Sequence, residues 1–178
     1  SIDFKAFEKL LEHVITDGVD FLVALGTTSE YPTLSHSEQN AVVNFIKEIN
    51  NRRIPLMLGI GGNSTTDVIK KIQETDFTDI DAILSVVPYY NKPSQKGMIQ
   101  HFMSIAAASP VPIVLYNVPG RTGKNMEADT AIYLAHNNPN IIGIKEASGD
   151  LIQVMNIIKR KPDNFLVLSG EDALTMPL

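Results

Sequence analysis

The feature that most constrains the fold is a regular alternation of two kinds of segment along the chain. Short apolar runs with several β-branched residues each begin roughly 25 to 35 residues after the last, about the length of one strand, one helix and their loops. Segments with helical periodicity lie between them. The predicted strands are 21–25, 54–60, 82–87, 112–116, 141–145 and 165–169. The predicted helices are 4–16, 37–50, 66–75, 95–108, 127–136 and 151–161.

This order, a helix followed by six strand–helix units, predicts an α/β protein with a parallel sheet. A doubly wound sheet would carry a phosphate-binding glycine loop after its first strand, but "GTTSE" and "GIGGNS" match neither the dinucleotide pattern nor the P-loop pattern. A (β/α)₈ barrel fits better, although it needs eight strands and about 250 residues. We therefore expect residues 1–178 to form one partial TIM-barrel domain of six βα units, with one strand missing at each end.

Composition excludes several classes of function. The net charge of −5, with no basic run, gives no support to a nucleic-acid-binding surface. The absence of cysteine excludes disulfides and thiolate chemistry and is compatible with a reducing cytoplasm. The four histidines lack metal-ligand spacing, so no metal site is expected. Because no apolar stretch approaches the ~20 residues of a membrane span, we expect a soluble cytoplasmic protein that binds neither nucleic acid nor membrane.

Unusual residues are concentrated directly after the predicted strands. These segments are "GTTSEYP", "GIGGNS", "VPYYNKPSQ", "NVPGRTG", "KEASGD" and "SGED", rich in hydroxyls, glycines and tyrosines. The loops that enter the strands, such as "NNRRIP" and "NNPN", contain ordinary turn residues. This asymmetry places the functional site at the carboxyl ends of the strands, where barrels of this kind carry their sites.

Lys145 ends an almost wholly apolar strand and is followed directly by Glu146. Strand alternation puts Lys145 on one face, with Tyr116 at the equivalent position one strand earlier. In a confined, weakly solvated pocket the pKa of a lysine falls below its usual value of ~10.4, and such an amine can form a Schiff base with a carbonyl. The alternative is a surface lysine paired with Glu146.

Other polar residues at the same strand ends also have two interpretations. Thr27 and Thr28 either cap the next turn or supply hydroxyl and N–H groups to a carboxylate. Arg121 is either a solvated loop charge or a bidentate carboxylate ligand. Tyr116 is either a buried core tyrosine or a second reactive group beside Lys145.

Five of these segments, in this order and spacing, resemble the dihydrodipicolinate synthase family of pyruvate-dependent class I aldolases, which includes N-acetylneuraminate lyase. The segments are "GTTSE", "PYYNKPSQKG", "YNVPGRTG", "GIKEASGD" and "LSGED". The resemblance covers essentially the whole chain and implies a TIM barrel whose first strand, last strand and C-terminal helical domain lie outside it. It also implies a lyase that condenses pyruvate with L-aspartate 4-semialdehyde to 4-hydroxy-tetrahydrodipicolinate, in lysine and diaminopimelate biosynthesis.

The resemblance assigns four catalytic roles. Lys145 would form the Schiff base with pyruvate, and Tyr116 would transfer protons during imine formation. Thr27 would link Tyr116 to Tyr90, a residue that in the family enters the site of a neighbouring subunit. The resemblance therefore implies a homo-oligomer, either a dimer or a homotetramer built as a dimer of dimers.

Three further residues match substrate-binding positions of the family. Thr28 would bind the carboxylate of pyruvate, Arg121 that of aspartate semialdehyde, and Gly170 would lie beside the pyruvyl group. Because the covalent imine supplies the chemistry, no metal and no dissociable cofactor is implied.

Family members are often inhibited by lysine, and four residues match that inhibitor site: His36, Asn63, Asp67 and Tyr89. The chain departs from the family pattern at Gln39, where another histidine is expected, and at Ser29, where glycine or alanine is usual.

Two other functions compete with the synthase. N-acetylneuraminate lyase, or another 2-keto-acid aldolase, shares the lysine and tyrosine, but these relatives usually vary the threonine pair and lack the arginine of "GRTG". Thr27, Thr28 and Arg121 therefore favour the synthase. The second is a non-catalytic barrel that keeps the pocket and binds a small molecule.

Overall fold

The computed structural model of the protein describes residues 2–177. Its helices are α1 (Phe4–Thr16), α2 (His36–Asn50), α3 (Thr65–Glu74), α4 (Gln95–Ala108), α5 (Pro119–Thr122), α6 (Ala128–Asn137) and α7 (Leu151–Arg160). Its strands are β1 (Leu22–Ala24), β2 (Leu56–Gly59), β3 (Ala82–Val86), β4 (Ile113–Asn117), β5 (Ile141–Glu146) and β6 (Leu166–Ser169). All six predicted strands and six predicted helices are confirmed. Among the described residues, no helix combines the length and the apolar character that a membrane span requires.

Local capping explains where the helices begin. Ser35 precedes α2 and forms the predicted capping box, because its hydroxyl accepts from the N–H of Glu38 while the Glu38 carboxylate accepts from the N–H of Ser35. Ser64, Ser94 and Asp150 cap α3, α4 and α7 with their side-chain oxygens. Each side chain satisfies an N–H group that the helix itself leaves without a partner.

The chain divides into two compact units, the first of which comprises residues 2–59 and 77–82. In this unit β1 and β2 pair in parallel, with Leu22 opposite Leu56. Helices α1 and α2 pack together through the rings of Phe4 and Phe45, whose centroids are 4.9 Å apart. Segment 77–82 joins β2 where the Asp81 carboxylate accepts the N–H of Leu56 at 2.8 Å.

The second unit comprises residues 60–76 and 83–177 and contains a parallel sheet in the order β3, β4, β5 and β6. Tyr116 in β4 lies opposite Lys145 in β5, and Asn117 lies opposite Glu146. The next pair joins Lys145 to Leu168 in β6. Four helices of this unit, α3, α4, α6 and α7, contact one another in that order along the chain.

The core of the second unit lies between this sheet and its helices. Its fully buried side chains include Ile83, Phe102, Ile113, Leu115, Leu134, Ile144 and Ile157. Burial of these side chains contributes the main favourable free energy, about 1.5–3 kcal/mol for each large apolar group. This core supports the carboxyl ends of β4, β5 and β6. Tyr116 and Lys145 lie at the paired ends of β4 and β5.

Candidate active site

Lys145 and Tyr116 occupy neighbouring positions at the carboxyl ends of two paired strands. They are register partners, so their side chains leave the same face of the sheet. The ammonium nitrogen of Lys145 lies 4.8 Å from the centroid of the Tyr116 ring. Tyr116 is 7% exposed and Lys145 is half-buried. The structure therefore brings the candidate amine and the candidate phenol together on one side of the sheet.

Glu146 follows Lys145 in sequence but lies on the opposite face of β5. It is 2% exposed, and its carboxylate accepts from Asn117 at 3.1 Å, from Gln153 at 3.0 Å and from the N–H of Ser148 at 2.8 Å. These contacts turn the carboxylate toward α7 and away from the amine. The geometry contradicts the alternative in which Lys145 is a surface lysine paired with Glu146.

Gly170 directly follows β6 and is held against the end of β5. Its N–H donates to the carbonyl of Glu146 at 2.7 Å. A Cβ built at this position would lie 2.7 Å from the Cβ of Ala147 and 3.2 Å from Cε of Lys145. A side chain here would displace the Lys145 side chain or the strand end, so glycine leaves the space beside the amine open.

Arg121 lies in α5, a short helix that the sequence did not predict because "VPGRT" also fits an ordinary turn. Pro119 stands in the first turn, where its missing N–H costs nothing. The hydroxyl of Thr122 donates to the carbonyls of Val118 and Lys124 at 3.2 and 2.9 Å. Arg121 is exposed in a short helix that the Thr122 hydroxyl ties to the residues on either side, an arrangement suited to binding an anionic group.

Tyr89 and Tyr90 follow β3, and both are exposed. Tyr90 is 86% exposed and has φ of 68°, in the left-handed region that a tyrosine seldom adopts. Such a conformation costs about 1–3 kcal/mol and persists where the surrounding chain enforces it. The ring of Tyr90 is presented to solvent and is free to contact another molecule.

Thr27 and Thr28 lie in the first compact unit, in a turn of 3₁₀ helix that spans Thr27–Ser29. The N–H of Ser29 closes this turn on the carbonyl of Gly26 at 3.1 Å, and the Ser29 hydroxyl donates to the same oxygen at 2.6 Å. Ser29 therefore uses its extra oxygen within the turn. Thr28 is exposed and Thr27 is half-buried.

Three of the four predicted inhibitor-site residues line one concavity of the second unit. Asn63, Asp67 and Tyr89 face it, and Lys71 lies on the same lining. Burial lowers the pKa of the Lys71 ammonium. The fourth residue, His36, begins α2 in the first unit.

Gln39 has a defined role within the first unit. Its amide donates to the carbonyls of Tyr31 at 3.0 Å and Leu34 at 3.1 Å. These bonds tie the loop of Tyr31 and Leu34 to α2, so Gln39 stabilises the chain locally.

Sequence reasoning missed a group of buried polar side chains behind the Lys145 and Tyr116 face. Asn117, Gln153 and Glu146 are buried together, and Asn125 joins them through hydrogen bonds. The signal in the sequence was the polar residue that directly follows each candidate reactive residue, in "YN" and "KE". Within residues 2–177 no group of three or more acidic, histidine or cysteine side chains could hold a metal ion.

Comparison with known proteins gives one consistent result. The model of the dihydrodipicolinate synthetase family matches residues 1–178. The 4-hydroxy-tetrahydrodipicolinate synthase of Flavobacterium psychrophilum is 51% identical over 178 residues, which is 100% of this chain and 61% of that protein. The chain thus spans about three fifths of the length of this curated relative.

Solved structures agree with this assignment. Chloride-inhibited dihydrodipicolinate synthase from Acinetobacter baumannii, complexed with pyruvate, is 43% identical with a TM-score of 0.94, covering 100% of this chain and 61% of that one. The synthase from Cyanidioschyzon merolae with lysine bound is 41% identical with a TM-score of 0.92, covering 99% of this chain and 60% of that one. The prediction of a partial (β/α)₈ barrel is confirmed.

Proposed function

Because the chain belongs to the dihydrodipicolinate synthetase family, we propose that the protein condenses pyruvate with L-aspartate 4-semialdehyde to form 4-hydroxy-tetrahydrodipicolinate. The observation that carries this proposal is the Lys145 nitrogen 4.8 Å from the ring centroid of Tyr116, at paired strand ends. A lyase that works through a Schiff base needs an amine beside a proton donor, and this pair supplies both.

The reaction uses Lys145 as the nucleophile. Its neutral amine adds to the keto carbon of pyruvate, and the resulting hydroxyl leaves as water after it takes a proton from Tyr116, giving an iminium. The iminium draws electrons from the pyruvyl methyl group, which loses a proton to the Tyr116 phenolate and becomes an enamine. The enamine carbon bonds to the aldehyde carbon of the second substrate, the iminium re-forms, and the aldehyde oxygen takes a proton from Tyr116 to become a hydroxyl. The amino group of that substrate then attacks the imine carbon and releases Lys145. The chemistry needs no metal and no dissociable cofactor.

Binding and proton transfer involve the other candidate residues. Thr28 binds the carboxylate of pyruvate, Arg121 that of the semialdehyde, and Gly170 leaves room for the pyruvyl group. The pyruvate complex of the Acinetobacter baumannii synthase supports the first substrate. Thr27 links Tyr116 to Tyr90 of a second copy, which makes the active form a dimer or a dimer of dimers. The 86% exposed ring of Tyr90 supports this arrangement, and we place the enzyme in the cytoplasm.

The same protein responds to L-lysine through the concavity that Asn63, Asp67 and Tyr89 line, together with His36. The lysine complex of the Cyanidioschyzon merolae synthase supports this. Lysine titrated into the activity assay should inhibit the unsubstituted protein. Inhibition should be weaker for Asp67→Asn, which keeps the size of the side chain but removes its charge.

The decisive test of the reaction is trapping of the imine. Full-length protein incubated with pyruvate and borohydride should gain one reduced pyruvyl adduct on Lys145, and Lys145→Arg should gain none. In an activity assay, the unsubstituted protein should consume pyruvate together with aspartate semialdehyde but not together with N-acetylmannosamine. Turnover of the sugar alone would instead support N-acetylneuraminate lyase, and an unmodified lysine would support the non-catalytic barrel.

A further inference from the structure

The buried carboxylate of Glu146 is the centre of a hydrogen-bond network that connects three segments around the proposed site. Both oxygens accept from the Asn117 amide at 3.1 Å. One oxygen also accepts the N–H of Ser148 at 2.8 Å, and the other accepts from Gln153 at 3.0 Å. A buried carboxylate is costly unless it is satisfied, and here both oxygens have two N–H donors each.

The first connected segment is the end of β4. Asn117 directly follows Tyr116 and is fully buried. Its carbonyl accepts the N–H of Ala147 at 2.8 Å, while its amide reaches the Glu146 carboxylate. Side-chain and backbone bonds between Asn117 and the end of β5 therefore fix the register in which Tyr116 lies opposite Lys145.

The second connected segment is the loop that carries Arg121. Asn117 Oδ1 accepts the N–H of Met126 at 2.9 Å, and its amide nitrogen donates to Asn125 Oδ1 at 2.8 Å. These bonds attach the far end of the loop to the strand from which it departs. The position of Arg121 therefore depends on the same asparagine that Glu146 holds.

The third connected segment is the start of α7. Gln153 donates to Glu146 through Nε2 and accepts from Asn125 Nδ2 at 2.8 Å through Oε1. Ser148, whose N–H is bound by Glu146, accepts the N–H of Asp150 at 3.1 Å through its hydroxyl, and Asp150 caps α7. The turn after Lys145 is therefore anchored at both its beginning and its end.

We infer that Glu146 is a positioning residue, which through Asn117, Ser148 and Gln153 holds the Lys145 amine, the Tyr116 phenol and the Arg121 loop in their reactive arrangement. This inference rests on the proposed Schiff-base function. Glu146 touches no reacting atom, because it lies on the face of β5 opposite Lys145. Its effect is on geometry, and a misplacement of about 1 Å at a reacting centre can cost on the order of 100-fold in rate.

Glu146→Gln is the sharpest perturbation because it preserves the size and shape of the side chain. The new NH₂ group can take the place of either carboxylate oxygen, and in both places it faces N–H donors. At one place these donors are Ser148 and Asn117, and at the other they are Gln153 and Asn117. Rotating the Gln153 amide to accept would remove its bond to Asn125. At least one arm of the network is therefore broken.

The matched control is Val154→Ala. Val154 is 2% exposed, follows Gln153 on α7 and is apolar. The substitution lowers stability by leaving a cavity in the same part of the core, without removing any polar bond of the network. A second network variant, Gln153→Met, removes one donor to Glu146 and the bond between Gln153 and Asn125 but leaves Glu146 in place, so it carries the test if Glu146→Gln does not fold.

The experiment measures the rate of borohydride trapping with pyruvate in full-length protein, and the final fraction of Lys145 trapped. For Glu146→Gln we expect the trapping rate constant to fall on the order of 10- to 100-fold, while the final fraction stays near that of the unsubstituted protein. For Gln153→Met the trapping rate constant should fall by a smaller factor. Val154→Ala should lower the melting temperature and leave the rate constant unchanged.

The outcomes separate the two proposals. Absence of any adduct on Lys145 in the unsubstituted protein would overturn the proposed function, and the positioning role with it. An adduct that forms in Glu146→Gln at the unsubstituted rate, or a loss only in the trapped fraction, would overturn the positioning role alone. The latter pattern is that of a residue that acts through stability.

Discussion

The buried histidine His101 should make the protein less stable in mild acid. It lies in α4 with 5% of its surface exposed, and its Nδ1 is 2.8 Å from the hydroxyl of Thr65. The ring of Phe102 lies edge-on to it at a centroid distance of 5.0 Å. Burial lowers the pKa of the imidazole from 6.5 to about 4, because the charged form loses its hydration. The folded protein therefore holds this histidine neutral at pH values where the unfolded chain protonates it.

The sign and size of the effect follow from proton linkage. Because the pKa is lower in the folded state than in the unfolded state, protonation favours unfolding as pH falls below 6.5, and the penalty stops growing below about pH 4. Each unit of difference in pKa is worth about 1.4 kcal/mol. His101 should therefore lower the free energy of unfolding by about 2 kcal/mol between pH 7 and pH 5, and by about 3 kcal/mol at pH 4.

The assay compares unsubstituted protein with His101→Asn, in which the Asn Oδ1 can still accept from Thr65 but the side chain does not titrate. Urea unfolding followed by circular dichroism at pH 7, 6 and 5, at one protein concentration, gives the free energy for each. Differencing the two proteins removes the titration of all other groups. Between pH 7 and pH 5, the free energy of unfolding of the unsubstituted protein should fall by about 2 kcal/mol more than that of His101→Asn. Two curves that stay parallel with pH would refute the reasoning.

Two further substitutions test local geometry. Gly170→Ala places a methyl group 2.7 Å from the Cβ of Ala147 and 3.2 Å from Cε of Lys145, so borohydride trapping with pyruvate should slow markedly. The control is Gly120→Ala, where a Cβ meets nothing within 4 Å, and this variant should be trapped at the unsubstituted rate. Equal rates in both would contradict the argument for an open space beside the amine. Ser35→Ala removes one half of the α2 capping box and should lower the free energy of unfolding by about 1 kcal/mol in urea titrations, whereas no change would contradict the capping assignment.

Much of the fold was predictable because its determinants are local. The apolar runs and helical periods located every strand and long helix, and the pattern Ser35–Glu38 located the start of α2. Alternation along two strands also placed Lys145 and Tyr116 on one face, which the register confirms. The short helix α5 was missed, since four residues beginning at a proline carry no helical period.

The network behind the site could not be predicted in the same way. Asn125 and Gln153 are 28 residues apart in sequence, and the packing of α7 against the loop after β4 is what brings their side chains together. Asn and Gln on a loop or helix are ordinary surface residues in sequence. Their burial, and their selection of one another as partners, become evident once the sheet register and helix packing are known. Long-range polar pairing of this kind has no local signature.

The two strand ends share a physical arrangement that explains the adjacency of Lys145 and Glu146. At each end two polar residues follow one another, Tyr116 with Asn117 and Lys145 with Glu146, and alternation sends the first to the open face and the second to the helix-covered face. Asn117 and Glu146, which lie on the helix-covered face, are hydrogen-bonded to each other. This bond ties β4 to β5 beside Tyr116 and Lys145. A lysine followed directly by a glutamate at the end of a buried strand thus places Lys145 on one face and a hydrogen-bonded Glu146 on the other. Polar pairs at neighbouring strand ends can thus be examined as one unit, in which the residues on the helix-covered face set the geometry of those on the other face.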